Sequence, residues 1–69
     1  MKIKYYRDDW MKETGTTPIY YKVINDMRIY KCDYYRRWWV LTYQYTAHQL
    51  VTLDDMTPIT KEDLFIDML

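Results

Sequence analysis

The chain has 69 residues, enough for one domain with a small buried core, and its ten basic side chains balance ten acidic ones. Cys32 is the only cysteine, which excludes an intramolecular disulfide and a zinc site built from several thiolates. The net charge of zero disfavours a strongly basic nucleic-acid-binding protein, and the single glycine excludes a glycine-rich phosphate-binding loop.

The cellular compartment is predicted from three features of the sequence. A lone thiol suits a reducing compartment, and no apolar stretch near Met1 resembles the core of a signal peptide. The longest run of bulky apolar residues, 38–41, is far shorter than the roughly 20 residues that span a bilayer. We therefore expect a cytoplasmic protein that does not enter a membrane.

The first predicted element is a half-buried strand over residues 2–7, where side chains of two kinds alternate along the chain. Asp8 and Asp9 then interrupt the pattern. Either aspartate is a suitable N-cap for a helical turn over 10–12, which Gly15 would end. A strand over residues 10–14 is the alternative.

A β-hairpin is predicted next. Residues 19–24 and 27–32 are rich in strand-forming side chains, and Asn25 and Asp26 lie between them. Both residues tolerate the positive φ that a two-residue type I′ turn requires. Cys32 falls inside the second strand, where a free cysteine usually behaves as a small buried apolar residue.

The remaining predicted strands are 37–45, the longest in the chain, and 50–53, with a connection at 46–49. The sheet is expected to end over 54–58. These elements predict a small antiparallel meander of four or five strands.

A short C-terminal helix completes the predicted α+β fold. Thr60 is a suitable N-cap, and Asp63 occupies the position where Glu or Gln completes a capping box. The apolar stripe of this helix consists of Leu64, Phe65, Met68 and Leu69. So short a helix is not stable alone and must pack on the sheet or on a partner, and we expect it to pack on the sheet.

The most distinctive segment is an aromatic and basic run before the longest predicted strand. On a strand, its members would alternate and give each face a guanidinium between aromatic rings. This chemistry suits both a protein-interface hot spot and a stacking platform for single-stranded nucleic acid. The predicted partner-binding residues are Tyr34, Tyr35, Arg36, Arg37, Trp38 and Trp39.

The charges are distributed unevenly along the chain. Residues 1–40 carry nine basic and five acidic side chains, whereas residues 41–69 carry one and five. The two halves either cancel on folding or give a dipolar molecule that docks in one orientation. The acidic residues of the second half could imitate phosphates toward a nucleic-acid-handling target, and they are Asp54, Asp55, Glu62, Asp63 and Asp67.

Catalytic sites are weakly indicated. Cys32 and His48 could form a nucleophile–base pair only if the fold brought them together. The adjacent aspartates at 8–9 and 54–55 point to opposite faces in an extended chain, so each pair supplies one metal ligand at most. A small ribonuclease could use Arg36, Arg37, Tyr43 and His48, but their spacing is not specific. We expect no enzyme activity, cofactor or metal.

Composition favours protein recognition. Twelve Tyr and Trp side chains cannot all be buried in 69 residues, and aromatic, Arg and Met enrichment is typical of interfaces. In size and composition the chain resembles the small aromatic-rich inhibitors encoded by phages and mobile elements, including anti-CRISPR and other anti-defence proteins. The resemblance implies a stoichiometric inhibitor that occludes a larger host enzyme in the host cytosol. The alternatives are a single-stranded nucleic-acid-binding module and a homo-oligomeric structural protein.

Overall fold

A computed structural model describes residues 1–9, 18–33 and 38–69, and this part of the chain forms five strands and two helices. The predicted α+β class with an antiparallel sheet is confirmed, with two helices in place of the single helix expected. The turn or strand predicted after Asp9, and residues 34–37, lie outside the described residues. The elements are β1 (Ile3–Asp8), β2 (Ile19–Ile24), β3 (Arg28–Asp33), β4 (Val40–Thr42), α1 (Ala47–Thr52), β5 (Met56–Ile59) and α2 (Lys61–Asp67).

The sheet has the strand order β4-β3-β2-β1-β5, and every pair of neighbours is antiparallel. The first four strands form the predicted meander. β5 leaves that pattern, because it crosses to the opposite edge and pairs with β1. The first strand of the chain therefore lies between two neighbours.

One face of the sheet carries the main apolar core. Tyr6, Tyr21, Val23 and Ile29 are buried on this face, and the fully buried Leu50 of α1 packs against them. We call it the α1 face. Burying these side chains supplies most of the stabilisation available to so short a chain.

The opposite face, here called the α2 face, carries two rows of directly opposed side chains. Because residues opposite each other on neighbouring strands point to the same side, the register defines both rows. The first row contains Tyr5, Lys22 and Tyr30, and the second contains Arg7, Tyr20 and Cys32. Tyr20 and Cys32 are buried, and α2 lies over the second row.

The turn between β2 and β3 is confirmed at its central residues. Asn25 and Asp26 have φ of 54° and 55°, and the Met27 amide donates to the Ile24 carbonyl oxygen at 3.1 Å. The first paired residue of β3 is Arg28, opposite Ile24. The loop therefore contains three residues, one more than predicted, which shifts the strand register by one position.

The connection predicted at 46–49 and the strand predicted at 50–53 are wrong, because α1 occupies Ala47–Thr52. Its start is fixed by a reciprocal capping box. The Gln49 amide donates to Thr46 Oγ1 at 3.2 Å, and the Thr46 amide donates to Gln49 Oε1 at 2.8 Å. Leu50 then points to the core, while Val51 remains exposed.

Two other strand predictions need correction. The predicted end of the sheet over 54–58 contains β5 instead, whose Pro58 is tolerated because β5 is an edge strand. Of the nine-residue strand predicted over 37–45, the described part forms a strand only at Val40–Thr42. Trp38 and Trp39 precede that strand and are not part of it.

The C-terminal helix is confirmed, with Thr60 as its N-cap. The Asp63 amide donates to Thr60 Oγ1 at 3.0 Å, and the Thr60 amide donates to an Asp63 carboxylate oxygen at 3.3 Å. The shorter Asp63 side chain thus completes a capping box. None of the residues of α2 is fully buried, so this helix contacts the sheet only lightly.

Candidate functional site

Trp39 lies over the first row of the α2 face. Its ring centroid is 6.2 Å from that of Tyr5, with the two ring planes tilted by 43°. The ammonium group of Lys22 lies 4.8 Å from the Trp39 ring centroid. A residue outside any strand is thus held against the sheet by one aromatic contact and one cation–π contact, each worth roughly 0.5–2 kcal/mol.

Lys22 has two aromatic neighbours. Its ammonium group is also 5.4 Å from the ring centroid of Tyr30, so it is placed between Tyr30 and Trp39. Within the described parts of the chain, no carboxylate forms an ion pair with Lys22. Its ammonium group instead lies over the faces of two aromatic rings, and it contributes a positive potential to this face.

A groove of about 320 Å³ separates Trp39 from α2. This volume is at the lower end of the range for ligand pockets, so it suits one or two large side chains better than a nucleotide-sized cofactor. Most of its surface is apolar. The described residues that line it are Tyr5, Cys32, Trp39, Lys61, Leu64, Phe65 and Met68.

The outer side of α2 is apolar and exposed. Phe65 is 68% exposed, Ile66 63% and the following Leu69 80%, whereas Leu64 and Met68 are half-buried toward the sheet. The predicted packing of this helix on the sheet is thus only partial. Phe65 lies at the rim of the groove, so the exposed side of the helix continues into it.

A polar contact holds the end of α2 on the sheet. The Asp67 carboxylate accepts a hydrogen bond from Arg7 Nη1 and one from the Tyr20 hydroxyl, both at 3.1 Å. Burial raises the pKa of Tyr20 to about 12, and the negative charge of Asp67 adds to the effect. These contacts fix the position of α2, and therefore one wall of the groove.

Arg7 continues this network away from α2. Its Nε donates to an Asp9 carboxylate oxygen at 2.7 Å, and the Thr57 hydroxyl donates to the other oxygen of the same carboxylate. The Asp9 hydrogen bond is the main reason that the pKa of Arg7 is raised, with Asp67 contributing less. Arg7 therefore stays positively charged and links β1, β5 and α2.

Of the predicted partner-binding run, the structure describes Trp38 and Trp39. Trp38 is 59% exposed, and Trp39 is half-buried beside the groove. Tyr34, Tyr35, Arg36 and Arg37 lie outside the described residues. The predicted alternation of this run along a strand does not apply to the two tryptophans, because they precede β4.

The five acidic residues of the proposed phosphate-like surface have different environments. Asp63 caps α2, and Asp67 binds Arg7 and Tyr20. Asp54 and Asp55 are exposed before β5, whereas the exposed Glu62 follows it, at the other end of that strand. Two of the five acidic residues therefore have structural partners, and Asp54, Asp55 and Glu62 are exposed.

The uneven charge distribution is partly neutralised by folding. The Arg7–Asp67 ion pair joins the basic half of the chain to the acidic half. Lys2 and Lys4 instead bind Asp26, at 3.2 and 3.4 Å, within the basic half. The hydrogen bond from Lys2 is the main reason that the pKa of Asp26 is lowered.

Of the residues considered for catalysis, Cys32 and His48 are not brought together, whereas Asp8 and Asp55 of the two aspartate pairs line one cavity. Cys32 is buried on the α2 face, whereas His48 is exposed on α1, which packs on the other face. Tyr43 is exposed, and the two arginines of the ribonuclease hypothesis lie outside the described residues. Among residues 1–9, 18–33 and 38–69, no three His, Cys, Asp or Glu side chains are placed to share a metal ion.

Sequence reasoning missed Tyr5, Lys22 and the α2 side of the groove. A two-residue turn would place Lys22 opposite Ile29, whereas the observed register places it opposite Tyr30. The signal in the sequence for the α2 side of the groove is the apolar stripe of this helix, which predicts packing on the sheet. Its groove-facing and outward residues are Leu64, Phe65 and Leu69.

No protein-family model, curated protein or solved structure matches this chain. Within the described residues, neither helix has the length and apolar character needed to cross a bilayer.

Proposed function

We propose that this protein is a non-catalytic module that binds a larger protein and inhibits it by covering a functional surface. The observation that carries this proposal is the concentration of exposed apolar side chains on α2, which borders the Trp39 groove. Phe65, Ile66 and Leu69 are each more than half exposed, and so is Trp38, which precedes Trp39 in the sequence. Single exposed apolar residues are ordinary, but several on one short helix and the adjoining segment are typical of an interaction site.

The form of this surface supports protein recognition. The groove is large enough for one or two side chains of a partner, and aromatic residues protrude beside it. The partner can therefore insert a side chain into the groove and can itself receive an exposed ring of this protein. Trp, Tyr, Phe and Met are the residue types enriched where interfaces are best packed. The surface is also pre-organised on one side, because Trp39 is held by Tyr5 and Lys22.

The separation of Cys32 and His48 on opposite sides of the sheet supports a non-catalytic role. The resemblance in size and composition to phage and mobile-element inhibitors extends the proposal to the target. By that resemblance, the target is a larger host enzyme and the site of action is the host cytoplasm. Binding would be stoichiometric and would require no cofactor.

A second candidate function is binding of single-stranded nucleic acid. It is favoured by the row of Tyr5, Lys22 and Tyr30 with Trp39 above it, because bases stack on aromatic rings that lie beside cations. Two observations weigh against it. Lys22 and Tyr5 already contact the Trp39 ring, and the neighbouring helix carries the exposed acid Glu62.

The test is affinity capture from host-type lysate with tagged protein, with and without nuclease. The variant Trp38→Ala/Phe65→Ala removes two exposed rings without disturbing the buried core. Tyr43→Ala is the matched control, because Tyr43 is also an exposed ring but does not line the groove. We expect a nuclease-resistant partner that binds the wild type and the control, and binds the double variant at least about tenfold more weakly.

Calorimetry with the purified partner should then give one-to-one stoichiometry. Capture of nucleic acid alone, with an affinity that collapses between low and moderate salt, would favour the second candidate. Light scattering that shows only self-association, abolished by the double variant, would instead assign the exposed rings to a homo-oligomer. Capture that is equal for the double variant and the wild type would contradict the proposed surface.

A further inference from the structure

We infer that the Trp39 groove receives a large apolar side chain from an acidic segment of the partner protein. The inference rests on the proposed function and specifies the chemistry of the partner. It is carried by the shape of the groove together with the charges that surround it.

The groove selects for an apolar anchor. Its walls are Trp39 and Tyr5 on the sheet side and Leu64, Phe65 and Met68 on the helix side. Its volume of about 320 Å³ accommodates one or two large side chains. Transfer of such a side chain from water is worth roughly 1.5–3 kcal/mol, so this contact can act as a hot spot.

The described residues that line the groove contribute one positive charge and no negative charge. Lys61 is the only charged residue among those described that line it. In the described part of the chain, Lys61 forms no ion pair with a carboxylate, and Lys22 behind Trp39 forms none either. By contrast, Lys2 and Lys4 both bind Asp26.

The three acidic residues of α2 differ in how far they offset the positive charge of Lys61. Asp63 is directed to the Thr60 amide at the start of the helix, and Asp67 to Arg7 and Tyr20 at its end. Glu62 does not line the groove, but it shares an adjoining cavity with Lys61, Phe65 and Ile66. A partner carboxylate at the groove would therefore meet Lys61, which forms no ion pair in the described part of the chain, and electrostatic complementarity favours an acidic segment.

The test uses three probe peptides of equal length, observed through the indole N–H signal of Trp39 in NMR titrations. They are acetyl-Glu-Phe-Glu-amide, acetyl-Lys-Phe-Lys-amide and acetyl-Glu-Ala-Glu-amide. We expect the acidic aromatic peptide to bind at least about threefold more tightly than either of the others. One favourable surface charge pair, or one well-placed ring, is sufficient for that ratio.

Matched variants separate groove contacts from general effects. Lys61→Gln should remove the preference for the acidic peptide, whereas Lys31→Gln, on the α1 face, should preserve it. Phe65→Ala should weaken binding at least about twofold, whereas Tyr43→Ala, which removes an exposed ring that does not line the groove, should not. All four positions are outside the buried core, so the variants keep the fold.

Several outcomes would overturn the inference. These are equal binding of the basic peptide, no shift of the Trp39 signal at millimolar peptide, and displacement of the peptide by four-residue oligothymidylate of higher affinity. The experiment distinguishes failure of this inference from failure of the proposed function. A captured partner that is lost in Trp38→Ala/Phe65→Ala but retained fully by Lys61→Gln would leave protein binding intact and exclude an acidic contact at this groove.

Discussion

Arg7 of β1 and Asp67 of α2 are 60 residues apart in sequence, and a guanidinium N–H of Arg7 donates to the Asp67 carboxylate at 3.1 Å. Asp67 is the last residue of α2, where the helix dipole disfavours a negative charge. The carboxylate therefore gains its favourable contacts from the sheet, where Tyr20 is its second donor. The position of α2 on the sheet therefore depends strongly on the Asp67 side chain.

Replacing Asp67 with Asn should weaken the attachment of α2 to the sheet and increase the exposure of Cys32, which lines the groove. We expect Cys32, buried at the base of the groove, to react with Ellman's reagent at least about fivefold faster, which corresponds to about 1 kcal/mol in the opening equilibrium. Glu62→Gln, an exposed change on the same helix, should leave the rate unchanged. Equal rates for Asp67→Asn and the wild type would show that α2 is held by its apolar contacts.

Tyr20 should make the protein sensitive to alkaline pH. Its pKa is raised to about 12, so the folded state holds this proton more tightly than the unfolded state, whose tyrosines ionise near pH 10. The resulting stabilisation is fully present below pH 10 and decreases as the pH rises toward 12. The pKa of the buried Tyr21 is also raised by burial, so it contributes in the same direction.

The measurement is urea unfolding between pH 9 and 11.5, followed by tryptophan fluorescence. Tyr20→Phe should lower the unfolding free energy at pH 9, because the Asp67 hydrogen bond is lost, and should reduce its decrease with pH. Tyr43→Phe, at an exposed position, should follow the wild-type curve. An unchanged pH dependence in Tyr20→Phe would rule out Tyr20 as the titrating group.

The β2–β3 turn should depend on the backbone conformation of Asn25. Its φ is 54°, and its side-chain oxygen accepts from the Lys2 amide at 3.0 Å. Asn25→Gly loses only the hydrogen bond, whereas Asn25→Ala also places a Cβ in the left-handed region. We expect the alanine variant to be less stable than the glycine variant by about 1 kcal/mol in thermal or urea unfolding. A glycine variant as unstable as the alanine variant would indicate that the Lys2 contact dominates.

Leu50 should be the most sensitive position in α1. It is fully buried between the helix and the sheet, so Leu50→Ala should cost about 2–5 kcal/mol. A domain of this size has a total stability of roughly 3–10 kcal/mol, so circular dichroism should show a large fall in melting temperature. Val51→Ala, at the exposed neighbouring position, should change stability by less than about 0.5 kcal/mol.

The parts of the fold that were predictable from sequence are those specified by nearby residues. The β2–β3 hairpin follows from alternation and from Asn25 and Asp26, and α2 follows from its N-cap, Thr60. The same local logic was available for α1, because Thr46 and Gln49 have the spacing of a capping box. For α1, the strand-forming residues that follow Gln49 favoured a strand prediction over the capping-box pattern.

The candidate site was less predictable because it depends on contacts between distant segments. Trp39 was among the residues predicted to bind a partner, but Tyr5 and Lys22 join it only through the sheet register. The pairing of β5 with β1 also brings α2 to this face. Neither the register nor that crossover follows from local periodicity, since each is set by side-chain packing over the whole sheet.

The position of β5 has a consequence for the order in which the chain can fold during synthesis. The β2–β3 hairpin can form once residue 33 has left the ribosome, but β1 must wait for Met56–Ile59 before both of its edges are paired. In that interval β1 presents an open strand edge to other nascent chains. Synthesis of β5 is therefore the step that pairs this edge of β1.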